Sequence, residues 1–115
     1  MNSLNSILLE GTLTHDPESQ TLPNGTGVCT FTVASSRFNE REGITEQEVS
    51  YFDVESYGRL GQSCAENLRE GRGVRIVGRL ATRRGVLAVD SEGYDCIPVY
   101  IVAEHVEFKP IFNKA

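Results

Sequence analysis

The 115-residue sequence lacks tryptophan, contains only three cysteines and has no long apolar run. The cysteines are isolated, odd in number and free of Cys-x-x-Cys spacing: Cys29, Cys64 and Cys96. This pattern is typical of reduced thiols buried as small hydrophobic groups, and it predicts a cytoplasmic protein without disulfides. Neither His15 nor His105 stands at a ligand spacing from a cysteine, so we expect no metal site. No segment approaches the ~20 apolar residues of a membrane span, and no basic region typical of a signal peptide opens the chain.

A basic overall charge is missing as well. The net charge of −5 by itself argues against a nucleic-acid partner. The charge is unevenly distributed, however, since residues 1–58 carry −7, residues 59–84 carry +5 and residues 85–115 carry −3. Nine of the eleven cations are arginine, whose guanidinium group favours bidentate phosphate contacts and stacking. The sequence therefore predicts a local basic patch on an acidic body.

No arrangement of catalytic side chains is visible in the sequence. Asp16 and Glu18 flank Pro17 in a predicted turn, and nothing pairs the two carboxylates as a general acid and base. Gly71 and Gly73 lack the Gly-Lys-Ser/Thr pattern of a phosphate-binding loop. We therefore interpret the chain as a non-enzyme and expect neither a cofactor nor a metal.

Short segments of alternating apolar and polar residues predict an all-β protein of one domain. Strands are expected over residues 7–13, 28–36, 51–57, 74–82 and 97–108, with loops over 39–48 and 83–96. One short amphipathic helix, ending at Gly71, is predicted between the third and fourth strands from three apolar residues at i, i+4 and i+8: Leu60, Cys64 and Leu68. The order β-β-β-α-β-β is the connectivity of the OB-fold, a five-stranded Greek-key barrel.

Alternation predicts which side chains of each strand face the core. In the second strand, it predicts a core face of Cys29, Phe31 and Val33. In the third strand, the predicted core face consists of Phe52, Val54 and Ser56. Tyr51 and Tyr57 then lie on the outer face, as do Arg75 and Arg79 of the fourth strand. Such a face favours binding of stacked bases and phosphates.

Seven blocks of sequence carry a family resemblance. They extend from Asn5 to about Phe108: Asn5–Leu13, Asp16–Glu18, Pro23–Gly25, Phe31–Ala34, Phe52–Leu60, Leu68–Gly71 and Val74–Leu80. In this order and spacing they resemble the bacterial-type single-stranded DNA-binding protein family (SSB). The resemblance implies an OB-fold domain over residues 1–108, usually assembled as a homotetramer. It also implies a cytoplasmic, nucleoid-associated protein that coats single-stranded DNA in replication, recombination and repair.

The resemblance also implies which residues contact DNA. The aromatic residues on which bases stack correspond to Tyr51 and Tyr57 and, less directly, to Phe38 at the end of the second strand. Family members place basic or polar groups at six further positions, which are arginine here: Arg37, Arg59, Arg75, Arg79, Arg83 and Arg84.

The chain departs from the family pattern at two places. An aromatic residue that many members carry after the fourth strand is Gly85 here, so one stacking residue is missing unless Tyr94 replaces it. Residues 109–115 form a short extension without the acidic tip through which members recruit partner proteins. Binding of replication or repair proteins is therefore in doubt.

These departures leave other interpretations open. One is a tailless primosomal-type OB-fold assembly factor acting as a dimer, and a carbohydrate- or tRNA-binding OB domain is a third class that the local blocks disfavour. Independently of these classes, the structural alternative for Tyr51 and Tyr57 is packing under the hairpin loop or at a subunit interface. Arg83 and Arg84 would form a solvated hairpin tip.

Overall fold

The computed structural model describes residues 1–83 and 88–111, and most of them lie in strands. Eight strands and one helix follow one another along the chain: β1 (Ile7–Leu13), β2 (Glu18–Thr21), β3 (Gly27–Arg41), β4 (Ile44–Tyr57), α1 (Gly58–Asn67), β5 (Gly73–Thr82), β6 (Ala88–Val89), β7 (Asp95–Cys96) and β8 (Val99–Phe108).

Five of the strands close into a barrel because β1 pairs with two different neighbours. It runs antiparallel to β5 along most of its length and pairs with β3 at Thr12 and Leu13. The remaining pairings complete the order β1-β5-β8-β4-β3, with β4 and β8 parallel. Closure removes the free strand edges that would otherwise invite aggregation. The predicted OB-fold is therefore confirmed, with β2 added on the edge of β3 and the helix between β4 and β5.

The barrel interior is filled by the side chains that alternation assigned to it. Cys29, Phe31 and Val33 on β3 are at most 3% exposed, as predicted. Val74 and Ile76 on β5 are completely buried opposite them. Burying one valine or isoleucine side chain contributes about 1.5–3 kcal/mol, so a few such residues per strand stabilise the barrel.

Gly11 allows β1 to change neighbours. A Cβ atom at this position would lie 2.8 Å from Val33 Cγ1 and closer still to the carbonyl oxygen of Ala34. Only a residue without a side chain lets the two strands approach to this distance.

The helix packs against β3, β4 and β8 through the predicted apolar stripe. Cys64 and Leu68 are fully buried and Leu60 is partly buried. The predicted helix end at Gly71 is wrong, because α1 ends at Asn67 and Leu68 is already extended. Leu68 leaves the helix with its side chain in the core, and Gly71 instead adopts a positive φ of 83° in the turn that leads to β5.

Two predicted loops contain regular structure. β3 and β4 continue through residues 39–48 as a long hairpin whose turn is Glu42–Gly43, and we call residues 37–48 the arm. In the region 83–96, β6 and β7 pair as a small hairpin, and residues 84–87 lie outside the described part. The alternation signal fails in the arm because it projects past the barrel, where both faces are exposed.

Two buried positions were also predicted wrongly. Phe52 shares the inner face of β4, but it remains 37% exposed near the end of the barrel. Cys96 is exposed on β7, whereas Cys29 and Cys64 are buried as expected. Among residues 1–83 and 88–111, no helix has the length and apolar character needed to cross a bilayer.

Candidate nucleic-acid interface

The outer face of β4 presents one ring openly to solvent. Its side chains alternate with the core residues and form what we call the outer row: Tyr51, Asp53, Glu55 and Tyr57. Tyr51 is 67% exposed. The residue opposite it on β3 is Ala34, whose methyl group is too small to cover an aromatic ring. Tyr51 therefore offers its π-face to a ligand.

Phe38 offers a second ring on the arm. It is 68% exposed and pairs with Gln47 of β4. Alternation places it on the same side of β3 as Ala34, four residues further along, which is about 13 Å at 3.3 Å per residue. Phe38 and Tyr51 therefore lie on one continuous face of the β3–β4 hairpin.

Tyr57 is held more firmly than Tyr51. Its hydroxyl group donates a hydrogen bond to Glu55 Oε2, and the side chain is partly buried. Burial, together with the adjacent carboxylate, raises the pKa of Tyr57 to about 12. The phenol is therefore neutral at any ordinary pH and its ring is fixed in orientation.

Glu55 links β4 to the residue that follows β5 on this surface. Its other oxygen, Oε1, forms an ion pair with Arg83, the first residue after β5. The Arg83 guanidinium group in turn lies over the ring of Tyr100 on β8, 4.5 Å from the ring centroid. The hydrogen bond to Glu55 raises the pKa of Arg83, so the guanidinium remains charged.

A groove of about 360 Å³ opens beside this cluster. Its wall includes hydroxyl, carboxylate and aromatic groups from β3, β4 and β8, among them Thr30, Thr32, Asp53, Arg83 and Tyr100. Thr32 Oγ1 donates to Asp53 Oδ1 at 3.0 Å. The groove therefore combines hydrogen-bonding groups with aromatic side chains such as Tyr100.

Two of the predicted arginines extend the positive charge around the barrel. Arg79 is exposed on the outer face of β5, opposite Val102 of β8, and has no ion pair with any residue in 1–83 or 88–111. Arg59 is exposed at the start of α1, directly after Tyr57 and Gly58. Both guanidinium groups are accessible to phosphate.

The other predicted arginines are placed differently. Arg75 lies eight residues from Arg83 along β5, about 25 Å away, and its Nη2 binds Glu10 Oε2 at 3.0 Å. A second carboxylate, that of Glu107, lies 3.9 Å from Arg75. Arg37 stands opposite Glu48, on the face of the arm away from Phe38. Arg84 lies outside the described residues.

Sequence reasoning missed Glu55 and Tyr100. Glu55 lies on the outer face of β4 between the two tyrosines, yet it is only 7% exposed. Tyr100 was assigned no role, because none of the predicted DNA-contacting residues lies close to it in the sequence. The one available signal was an acidic residue between two tyrosines on the outer face of a strand, since a carboxylate there needs a cationic partner.

The buried thiols of Cys29 and Cys64 are not activated as nucleophiles. Burial raises the pKa of Cys29 and raises that of Cys64 to about 11, so both thiols are protonated and weakly nucleophilic at neutral pH. Within the part of the chain that the structure describes, no three His, Cys, Asp or Glu side chains cluster in a way that would hold a metal ion.

Comparison with known proteins places this geometry in a family. The single-strand binding protein family matches residues 4–109. The single-stranded DNA-binding protein of Aquifex aeolicus is 35% identical over 104 residues, covering 90% of this chain and 68% of that protein. The single-stranded DNA-binding protein 2 of Clostridium acetobutylicum is 34% identical over 107 residues, covering 91% and 76%.

A further relative is longer than the segment that matches this chain. The single-stranded DNA-binding protein of Neisseria meningitidis serogroup A is 33% identical over 98 residues, covering 83% of this chain and 56% of that protein. The chain thus spans little more than half the length of that relative. The family match over nearly all of this chain, with relatives above 30% identity, agrees with the closed barrel. The chain belongs to the single-strand binding protein family.

Proposed function

We propose that this protein binds single-stranded DNA with little dependence on sequence. The observation that carries the proposal is the Tyr51 ring, which is 67% exposed on the outer row and is paired across the hairpin with the small residue Ala34. A ring in that position stacks on any unpaired base, because every base has a π-face. The names of the relatives, which are single-stranded DNA-binding proteins, support the same ligand.

The path proposed for the strand follows the rings and the accessible arginines. Bases stack on Phe38 of the arm, on Tyr51 and on the ring of Tyr57. Phosphates contact Arg79 and Arg59, and we extend the proposal to Arg84, which the resemblance implied, whereas Arg37 is left out because it lies on the face of the arm away from Phe38. Arg75 is left out because Glu10 and Glu107 already neutralise it at the far end of β5.

The wider role remains part of the proposal. We infer a non-enzymatic homotetramer that protects single strands during replication, recombination and repair, in the cytoplasm and on the nucleoid. Leu8 supports assembly, because it is 80% exposed on the outer face of β1, where an apolar side chain gains by association. Light scattering is expected to give four times the 12.7 kDa chain mass. A measured mass of twice the chain mass would favour the dimeric assembly factor instead.

A competition between single and double strands tests the proposal. Labelled oligo-dT is titrated with the protein at moderate salt, and a duplex of equal length is titrated in parallel. Binding to oligo-dT is expected to be much tighter, because no helix of the described chain is placed to enter a groove and paired bases hide their π-faces. Equal affinities for the two ligands would refute single-strand binding.

A further inference from the structure

We propose that Arg83 and Tyr100, held by Glu55, form an additional nucleobase subsite, in which a base stacks on the Arg83 guanidinium plane at the mouth of the groove. We call these three residues the Arg83 platform. The inference rests on the proposed binding of single-stranded DNA, and it assigns to Arg83 a base contact, where the resemblance implied only that this position contacts DNA.

The platform is built from three separate strands. Arg83 follows the end of β5, Tyr100 lies on β8 opposite Ala81, and Glu55 lies on β4 beside Val102 of β8. The guanidinium group lies 4.5 Å from the Tyr100 ring centroid, within the range of a cation–π contact. The stacking and the ion pair therefore restrain Arg83 from two directions.

Glu55 is the positioning residue of the platform. Its side chain is only 10% exposed, and a carboxylate so buried requires hydrogen-bonding partners. Tyr57 and Arg83 supply them, one to each oxygen. Since Arg83 is fixed in advance, a ligand that stacks on it does not have to order a free arginine side chain.

The neighbouring charges favour a base over a phosphate. The charge of Arg83 is already compensated by Glu55, and Asp53 and Glu18 add two more carboxylates to the groove wall. A phosphate would meet like charge there, whereas a neutral base would not. The Arg83 side chain is 53% exposed, so part of its surface is open to a ligand. Guanidinium planes are surfaces on which unpaired bases stack.

Arg83→Lys separates stacking from charge. Lysine keeps the positive charge but has no plane, so oligo-dT affinity is expected to fall about five- to 150-fold, the range for loss of one stacking contact. The slope of log affinity against log salt is expected to stay unchanged. The matched control is Arg75→Lys at the far end of β5, which is expected to bind as the wild type does. Wild-type binding by Arg83→Lys would overturn the proposal.

Tyr100 and Glu55 are tested in the same titration. Tyr100→Ala is expected to weaken oligo-dT binding in the same range, and Tyr100→Phe to restore it, because the ring supports the guanidinium without its hydroxyl. Glu55→Gln removes the charge that neutralises Arg83. It is expected to make the salt slope steeper by up to about 0.7, since a freed arginine then contacts phosphate. A purely structural role for Glu55 would leave that slope unchanged.

Photo-crosslinking tests the subsite in the unmodified protein, so misfolded variants do not block the conclusion. Oligo-dT carrying 5-iododeoxyuridine is irradiated with the wild-type protein and the linked peptides are identified by mass spectrometry. A link to the peptide that contains Arg83, whose guanidinium plane would contact the base, supports the platform. Links to the peptide of Tyr51 without any to that of Arg83 would refute the platform while leaving single-strand binding intact. Failure of the wild type to bind oligo-dT would refute both.

Discussion

Tyr51 and Tyr57 lie six residues apart on the same face of β4, yet their surroundings give them different properties. Tyr51 faces an alanine and has no hydrogen-bonding partner in the described chain, so only its ring has a role. Tyr57 donates its hydroxyl to a buried carboxylate and is partly covered. Tyr51 therefore gives the cleaner test of stacking, because its substitution perturbs the fold least.

Tyr51→Ala is expected to weaken oligo-dT binding by about 1–3 kcal/mol, or about five- to 150-fold, because one stacking surface is lost. Fluorescence titration measures the effect, and the quenching of tyrosine emission serves as the signal in a protein without tryptophan. The matched control is Tyr51→Phe, which keeps the ring and removes only the exposed hydroxyl. A large loss of folding stability in Tyr51→Ala, with normal binding per folded molecule, would contradict the outward placement of the ring.

The Cys64 thiol makes stability depend on alkaline pH. Burial raises its pKa from 9.0 to about 11, so the folded state holds the proton more tightly than the unfolded state does. The resulting stabilisation is complete below about pH 9 and is lost as the pH rises toward 11.

Urea unfolding at several pH values measures this contribution against Cys64→Ala. The variant is less stable at neutral pH because of its smaller side chain, but it has no thiol to titrate. The difference in unfolding free energy between the two proteins is expected to shrink by about 2 kcal/mol between pH 8 and pH 11. A difference that stays constant over this range would show that Cys64 is not buried as described.

At the level of elements, the hairpin of β3 and β4 has two halves with different surroundings. Its lower half forms barrel wall, with Val33 and Val54 in the core, and its upper half is the exposed arm that carries Phe38. The turn at Glu42–Gly43 has positive φ at both residues, 53° and 77°, which matches the twist of paired strands. The arm therefore projects as a regular two-stranded ribbon.

The passage of β1 from β5 to β3 depends on Gly11. Gly11→Ala is expected to lower the free energy of unfolding by about 1–3 kcal/mol or more, because the new methyl group overlaps the backbone of Ala34. Gly27→Ala is the matched control: a Cβ there meets no atom within 4 Å and the backbone is not left-handed. Thermal and urea unfolding measure both variants. Equal stability of the two would contradict the close approach of β1 and β3.

At the scale of the whole molecule, the net charge is negative, so the local position of the unpaired cations decides where a polyanion is attracted. The net charge is −5, and the structure divides the arginines into two kinds. Arg75 and Arg83 are paired with carboxylates, whereas Arg59 and Arg79 are exposed and have no such pair among the described residues. The second kind is expected to determine how binding responds to salt.

Arg79→Ala is expected to reduce the slope of log affinity against log salt by about 0.7, because one phosphate contact and its counterion are lost. Affinity for oligo-dT, oligo-dA and oligo-dC is expected to fall together, since phosphates carry no sequence information. Arg75→Ala serves as the control on the same strand and is expected to leave the slope as it is. If Arg75→Ala lowers the slope and Arg79→Ala does not, the proposed path of the strand is wrong.

The sequence by itself determined the architecture and, for most strands, which side chains point into the core and which point outward. Period-two alternation predicted the buried side of β3 and the outward position of Tyr51, because a strand has one inner and one outer face. The order of elements was sufficient for the OB-fold. Where both faces are exposed, as in the arm, or where strands are short, as in β2, β6 and β7, that signal vanished and the prediction failed.

Only the tertiary structure decided which charged groups are free. Glu55, Arg83 and Tyr100 are separated by 17 to 45 residues in the sequence, and the pairing of β8 with both β4 and β5 brings them together. The pairing of β5 with β1 and β8 likewise brings Arg75 beside Glu10 and Glu107 and leaves Arg79 without an ion pair among the described residues. Neutralisation of one charge by another depends on the distance between them. The sequence could therefore predict a basic patch, while the register of the strands selected the arginines that remain available to DNA.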